Sequence, residues 1–194
     1  MIGFATAQAA QQEGSPEAAK LAREASAAAK EQDWNKAIDG FRKAAEKDRK
    51  YTQGLAAAYS ARAVSEANDQ RFQEALADLA EAIKIEPREA RFYEQRAAIE
   101  MRINDYDKAL ADYAEASKMS PNDIKYHNYR AYIYETRGDL QNATTENDAA
   151  LKIDSKNKEA VARKQRLQKI QSLTAPQTSG TPVAAPQPPR KKKP

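Results

Sequence analysis

The sequence repeats itself at a fixed interval of 34 residues. Residues 75–87 recur at residues 109–121, and nine of the thirteen places are identical. A further step of 34 reaches residues 143–153, where two alanines and a lysine keep their places, and a backward step of 38 reaches the related residues 34–44. A unit this short cannot bury an apolar face alone, so we expect several units stacked into one continuous core.

The composition favours helices over strands. The chain has 40 alanines but only 6 glycines and 9 prolines, and alanine is the strongest helix former. The backward step is four residues longer than the others, and Gly54 lies in this insertion. Because four residues make about one helical turn, we expect the insertion to lengthen a helix without rotating its apolar face.

Each unit combines the same few residue types at matching places. A large apolar residue opens the second helix, turn residues precede it, and Pro87 and Pro121 follow the end of two second helices. The large apolar residues are Trp34, Phe72, Tyr106 and Leu140. Small residues stand where the two helices approach, at Ala25, Ala37, Ala44, Ala63, Ala75, Ala82, Ala97, Ala109, Ala116, Ala131, Ala143 and Ala150.

This pattern resembles the tetratricopeptide repeat. The resemblance covers four units, at residues 18–51, 56–89, 90–123 and 124–157, within a repeat domain that we place at residues 15–157. It implies an all-α fold, a right-handed solenoid of antiparallel helix pairs.

The segment after the fourth unit is predicted to cap the solenoid. Residues 158–173 place Val161, Leu167 and Ile170 among lysine, arginine and glutamine residues. A terminal repeat has one face without a neighbour. We therefore expect a single capping helix whose three apolar side chains cover the last pair.

Both ends of the chain are predicted to be disordered. The tail, residues 174–194, is rich in proline and ends in a basic run, a composition that buries too little apolar surface to fold. Residues 1–14 include Ala7-Gln8-Ala9, the small-x-small form of a signal-peptide cleavage site. Two interpretations are open: the remnant of a signal peptide on an exported or periplasmic protein, or an Ala/Gln-rich start of a cytoplasmic one.

The net charge of +4 does not indicate nucleic-acid binding. Four tail residues, Arg190 to Lys193, supply all of it, which leaves 28 basic and 28 acidic residues in the rest of the chain. Such a tail neutralises few phosphates and reads no bases. Residues 170–189 are uncharged but rich in proline, glutamine, threonine and serine, so no membrane span is expected either. The sequence carries no signal for an oligomeric state.

The side chains needed for catalysis or metal binding are scarce. There is no cysteine, and His127 is the only histidine, so we expect no metal, no cofactor and no enzymatic activity. His127 occupies the repeat place that holds Tyr59 and Tyr93 in other units, and we expect it to pack as an aromatic residue between the two helices of its unit. Glu66 and Glu100 share a repeat place, and we expect both to be ordinary solvated carboxylates.

Charged residues also recur in register. Three arginines occupy one repeat place, and an acidic residue follows each of them sixteen residues later. The pairs are Arg62 with Asp78, Arg96 with Asp112 and Arg130 with Glu146. This spacing predicts ion pairs between the first and second helix of each unit.

The resemblance implies a function for the first helices of the units. They would line a concave groove that binds a peptide or protein segment, which makes the protein a non-catalytic adaptor. Ten groove residues are expected on this basis: Ser60, Val64, Ala67, Arg91, Glu94, Ala98, Met101, Lys125, Asn128 and Tyr132.

Two further expectations concern the partner. Some proteins of the family clamp the C-terminal carboxylate of a chaperone, but only Lys125 is retained among the matching places Ser60, Val64, Gln95, Lys125 and Tyr129. Chaperone tails are therefore disfavoured as ligands. The alternative function is a structural or assembly subunit of a larger complex, for example in the cell envelope, acting through the convex face or the tail.

Overall fold

The structure, a computed structural model, describes residues 15–174. The expectations for residues 1–14 and 175–194, including the compartment and the basic tail, lie outside the described residues. Thr174, which we expected to begin the tail, is the last residue of a helix.

Within the described residues the chain forms helices joined by short turns. They run in the order α1 (Pro16–Lys30), α2 (Trp34–Lys47), a 3-10 turn (Arg49–Tyr51), α3 (Thr52–Asn68), α4 (Phe72–Ile85), α5 (Ala90–Arg102), α6 (Tyr106–Met119), α7 (Ile124–Thr136), α8 (Leu140–Ile153) and α9 (Lys158–Thr174). The most extensive contacts join α1 to α2, α3 to α4, α5 to α6 and α7 to α8. The predicted all-α repeat solenoid is confirmed.

Alanine is the residue at which the paired helices touch. All twelve alanines that the repeat pattern assigned to these contacts are at most 1% exposed. A methyl side chain lets two helix axes approach to the short end of the usual 8–10 Å range. Larger side chains, such as Leu79, Tyr113 and Ile133, fill the space that remains and are buried as well.

The turn inside each pair has the same backbone conformation in all four units. One residue adopts a left-handed φ of 60° to 74° in each turn: Gln32, Gln70, Asn104 and Gly138. Glycine tolerates this φ without strain, and other residues adopt it at some cost. In the first and fourth turns the next residue caps the second helix, because Asp33 accepts from the Lys36 amide and Asp139 from the Asn142 amide, both at 3.1 Å.

The four-residue insertion lengthens α3, as predicted. This helix has 17 residues, whereas its counterparts α5 and α7 have 13. Gly54 lies in the added turn against Phe41, and a Cβ at this position would come within 2.6 Å of the Phe41 ring. The glycine therefore lets α3 start close to α2.

The capping helix α9 packs on α8, but not through all the side chains we expected. Ala160, Arg163 and Leu167 are buried, whereas Val161 is 38% and Ile170 is 36% exposed. The prediction is therefore wrong for Val161 and Ile170. The buried residues follow an i, i+3, i+7 spacing, which places them on one face of the helix.

Arg163 fixes this orientation of α9. Its guanidinium donates to Asn128 Oδ1 at 3.1 Å and to Glu159 Oε1 at 2.5 Å, and it lies 3.3 Å from Glu135 Oε2. Asn147 of α8 donates to the Ala160 carbonyl at 3.0 Å.

Within residues 15–174, no helix is long and apolar enough to cross a membrane.

Gly40 marks the closest approach in the first pair and provides a test of the packing. A Cβ on Gly40 would lie 2.8 Å from Ala25 Cβ and 3.3 Å from Ala25 Cα. We expect Gly40→Ala to lower the free energy of unfolding by about 1 to 2 kcal/mol, because overpacking outweighs the roughly 1 kcal/mol by which alanine favours a helix. Urea unfolding measures the change. A variant more stable than the wild type would show that the helices are not in contact here.

Candidate protein-binding groove

The ten predicted groove residues differ in how accessible they are. Four are exposed, namely Val64, Arg91, Ala98 and Tyr132, and three are half-buried, namely Glu94, Met101 and Lys125. These seven lie on the first helices α3, α5 and α7. They can contact a ligand as the structure stands, and we call the surface they form the first-helix face.

The other three predicted residues are buried and form hydrogen bonds that join helices of the solenoid. Ser60 donates to Gln95 Oε1 at 2.7 Å, and Asn128 accepts from Arg163. Ala67 is 6% exposed, and its carbonyl accepts from Arg102 at 2.8 Å. Each of these contacts joins neighbouring first helices or α9, so we correct the predicted set by removing Ser60, Ala67 and Asn128.

Two clefts lie side by side on the first-helix face. The larger, of about 550 Å³, lies between α5 and α7, and the smaller, of about 250 Å³, lies between α3 and α5. Both are lined by Glu89 and Arg91. The sequence pattern missed Glu89, Asp123 and Tyr126 as lining residues, because the first two precede their helices and Tyr126 lies beside the i, i+3, i+7 stripe rather than on it.

An ion pair spans the larger cleft. Lys125 Nζ lies 2.7 Å from Glu94 Oε2 and 3.3 Å from Asp123 Oδ2. The hydrogen bond to Glu94 raises the pKa of the Lys125 ammonium above its ordinary value. The Tyr126 hydroxyl donates to the same Glu94 oxygen at 3.4 Å, and burial raises the pKa of Tyr126. Lys125 is therefore already neutralised by the protein.

Arg91 also lines the clefts, and unlike Lys125 it has a positive charge that is available to a ligand. Among the described residues no carboxylate pairs with its side chain, and its guanidinium lies over the Phe92 ring, 5.3 Å from the centroid. The side chain is exposed where the two clefts meet. An acidic group of a ligand can pair with Arg91 without breaking an existing ion pair.

Tyrosines dominate the α7 end of the face. Tyr132 is 51% and Tyr129 is 41% exposed. Tyr129 stacks on the buried Tyr113 with ring centroids 4.7 Å apart. This stacking holds the exposed Tyr129 ring in place on α7, three residues after the cleft-lining Tyr126, and the ring can offer a rigid apolar contact to a ligand.

The predicted arginine–carboxylate pairs are present in all three units. Arg62 and Arg96 each make two hydrogen bonds to their aspartates at 2.6 and 2.7 Å, and Arg130 lies 2.7 Å from Glu146. His127, expected to serve only as an aromatic filler, also contacts this set, because its Nδ1 lies 2.8 Å from Glu146 Oε2.

A double-mutant cycle on Arg96 and Asp112 tests this pairing. The Asp112 side chain is 7% exposed and the arginine 27%, so the pair is shielded more than a surface salt bridge. We expect a coupling free energy of about 1 to 3 kcal/mol from Arg96→Ala, Asp112→Ala and the double variant. The exposed pair Lys43 and Asp39 is the control, with coupling below about 0.5 kcal/mol. Equal coupling in the two cycles would contradict the prediction.

Glu66 and Glu100 are buried, so the expectation of solvated carboxylates is wrong. Glu100 is 4% and Glu66 is 9% exposed, and Oε2 of each has no hydrogen-bond partner. Burial, together with the nearby Asp112, raises the pKa of Glu100 to about 7. Unit four holds Tyr134 at the same place, which was a signal in the sequence that this place faces the interior.

This raised pKa predicts a pH dependence of stability. The folded state holds the Glu100 proton up to about pH 7, whereas the unfolded chain loses it near the ordinary value of 4.5. The folded chain therefore binds more protons in this window, and the contribution of Glu100 to stability falls as the pH rises from about 4.5 to 7.

Glu100→Gln removes the titration. We expect the variant to be about 1 to 2 kcal/mol more stable than the wild type at pH 8 and nearly equal to it at pH 4.5. Thermal unfolding at both pH values measures the difference. Glu115→Gln, at a solvent-facing ion pair with Lys118, is the control and should show no such gain. A gain that is the same at both pH values would contradict the assignment.

Known proteins share this architecture. The TPR domain of Arabidopsis OM64 has a TM-score of 0.55 and 21% identity over 61% of this chain and 98% of its own. The first TPR of Spaghetti (RPAP3), bound to the HSP90 peptide SRMEEVD, has a TM-score of 0.54 and 15% identity, covering 60% of this chain and 93% of its own. A tetratricopeptide repeat protein from Parabacteroides merdae reaches 0.60 with 18% identity, covering 82% of this chain and 62% of its own.

Sequence comparison gives the family. No curated protein matches the chain. The family model of the tetratricopeptide repeat matches residues 60–124 and 95–158, which together cover just over half of the 194 residues. The chain belongs to the tetratricopeptide repeat family.

Proposed function

We propose that this protein is a non-catalytic interaction module that holds a segment of another protein against its first-helix face. The observation that carries the proposal is the pair of adjoining clefts between α3, α5 and α7, which meet at Glu89 and Arg91. Two adjoining clefts along neighbouring helices suit a peptide in an extended or helical form.

The chemistry of the face supports a ligand of mixed character. Val64, Ala98 and Met101 offer apolar contacts, and Met101 adapts its shape readily. Arg91 suits an acidic side chain, and the exposed Tyr132 suits an apolar or aromatic one. We expect a bound segment that places a carboxylate near Arg91 and apolar side chains on either side of it.

The ligand is expected to differ from that of the Spaghetti (RPAP3) domain, which is bound to an HSP90 peptide. In our chain the matching clamp places hold Ser60, which is bonded to Gln95, and Lys125, which is paired with Glu94. Neither is available to a terminal carboxylate without breaking an existing contact. An internal segment of a partner is therefore favoured over a free C-terminus.

Site-specific crosslinking tests where a partner binds. A photo-crosslinking amino acid placed at Ala98 on the first-helix face should capture the partner in cells, and mass spectrometry should identify one recurrent segment. The same probe at the exposed Lys118, on the second helix α6, is the control. Capture at the α6 position with none at Ala98 would refute the groove and favour a structural subunit acting through its outer face.

A further inference from the structure

Two repeat-equivalent cavities lie on the other side of the first helices. One, of about 390 Å³, is lined by Leu76 of α4 together with Arg96, Glu100, Lys108, Ala111 and Asp112 of the next unit. The other, of about 210 Å³, is lined by residues of the first turn and of α2 together with Arg62, Ser65, Glu66 and Arg71. We call them the Glu100 cavity and the Glu66 cavity.

Neither cavity opens onto the first-helix face. Glu100 follows Arg91 by nine residues along α5, and Glu66 follows Ala57 by nine along α3. Arg91 and Ala57 both line the smaller cleft. Nine residues are about two and a half helical turns, so each glutamate lies on the side of its helix opposite this cleft. A ligand in these cavities would not compete with a segment bound in the groove.

Each cavity is lined by one glutamate that has a carboxyl oxygen without a hydrogen-bond partner. Glu100 is 4% exposed and the side chain of Glu66 is 12% exposed, and no donor reaches Oε2 of either. Burying a polar atom without a hydrogen bond costs about 1 to 3 kcal/mol. This cost arises twice, because Glu66 and Glu100 occupy the same place in adjacent units, whereas unit four has Tyr134 there.

The neighbouring charges are already paired among themselves. Around Glu100, Arg96 is bonded to Asp112 and Lys108 to Asp105. Around Glu66, the shortest ion pairs of the arginines are Arg62 with Asp78 and Arg71 with Asp69, and Arg62 Nε lies 3.9 Å from Glu66 Oε1. With these groups paired, Oε2 of each glutamate has no hydrogen-bond donor, and each glutamate adds one negative charge to its cavity when it is ionised.

We infer that the Glu100 and Glu66 cavities form a second interaction surface, on the side opposite the groove, that takes two cationic side chains, lysine or arginine, of a protein segment. Helices α3 and α5, which carry the two glutamates, contact each other, which places the two carboxyls about one helix spacing, or roughly 10 Å, apart. About three residues of an extended segment span this distance. A basic segment with two such residues can therefore reach both cavities at once.

A pair of model peptides tests this surface on the full chain. The probe is the capped peptide Ala-Lys-Ala-Ala-Lys-Ala, and the neutral control replaces both lysines with glutamine. Nuclear magnetic resonance of glutamate-labelled protein at pH 8 follows the Glu66 and Glu100 carboxyl carbons. We expect saturable shifts of these two signals with the lysine peptide and at least tenfold weaker binding of the glutamine peptide.

Variants of the protein separate the possible sources of binding. Glu66→Gln/Glu100→Gln should lose at least tenfold in affinity, whereas Glu115→Gln and Ala98→Arg should bind the lysine peptide as the wild type does. Binding by the wild type should also weaken from pH 8 to pH 5, since the raised pKa of both glutamates lets a proton replace the cation. The pH comparison must allow for the charged neighbours Arg62, Arg71, Glu74, Asp78, Arg96, Asp105, Lys108 and Asp112.

Two results would overturn the inference. One is equal shifts of the two carboxyl signals with the lysine and glutamine peptides on the wild-type chain, which needs no variant to interpret. The other is unchanged affinity in the folded double variant. Because Ala98→Arg blocks the groove alone, a failure here leaves the proposed groove function standing, and a failure of the groove leaves this surface standing.

Discussion

Truncation after Asn157, which removes the capping helix, is expected to lower the melting temperature by about 10 °C or more. Leu167 alone stabilises by about 1.5 to 3 kcal/mol through burial. The loss also removes the hydrogen bonds of Asn147 to Ala160 and of Asn128 to Arg163, which contribute about 0.5 to 1.5 kcal/mol for the neutral pair and about 1.5 to 3 kcal/mol for the pair with the charged arginine. A total near 5 kcal/mol corresponds to at least 10 °C for a chain of this size.

The truncation should also change how the chain unfolds. In a solenoid each unit is stabilised by its neighbours, so removal of the cap weakens the α7–α8 pair first. Hydrogen exchange should show faster exchange in α7 and α8 and nearly unchanged protection in α3 and α4. Truncation after Thr174 is the control and should melt within about 2 °C of the full chain. Equal melting of both truncated chains would mean that α9 does not cap the solenoid.

The repeat pattern is what allowed the fold to be predicted from the sequence. The 34-residue interval identified equivalent places in the units. Comparison of these places predicted the twelve contact alanines and the three arginine–carboxylate pairs. Such features depend on position within a unit and recur wherever the unit recurs. The longer helix α3 was predictable for the same reason, because an insertion of one turn preserves the apolar face.

The wrong predictions concern residues whose packing partners are not specified by the repeat pattern. Val161 and Ile170 were misplaced because the buried Arg163, with its polar partners, sets how α9 rotates against α8. An apolar pattern does not reveal a buried arginine. Ser60 and Asn128 were assigned to the groove from their places on the first helices, whereas here they are bonded to side chains of α5 and α9.

The groove was predicted as a surface, but its electrostatics required the structure. The sequence placed both Arg91 and Lys125 among the expected groove residues. The structure pairs Lys125 with Glu94 and leaves Arg91 without a carboxylate. The partners of a charged side chain depend on distances between helices of different units, and these distances are not encoded in the spacing within one unit.

Arginine substitutions on the first-helix face are expected to have the largest effect on binding. Ala98 and Val64 are exposed, on α5 and α3, so a longer side chain at either position projects into the groove without disturbing the core. Ala98→Arg and Val64→Arg should each weaken partner binding by at least about tenfold, or 1.4 kcal/mol. The double variant should lose about a hundredfold if the two sites act independently.

The affinity of these variants for the segment recovered by crosslinking is the most direct test of the groove. Isothermal titration calorimetry of the wild type, Ala98→Arg, Val64→Arg and the control Lys118→Arg gives the comparison, with circular dichroism to verify the fold of each. We predict at least tenfold weaker binding for the two groove variants and wild-type binding for Lys118→Arg. Wild-type affinity in both folded groove variants would contradict the groove as the binding surface.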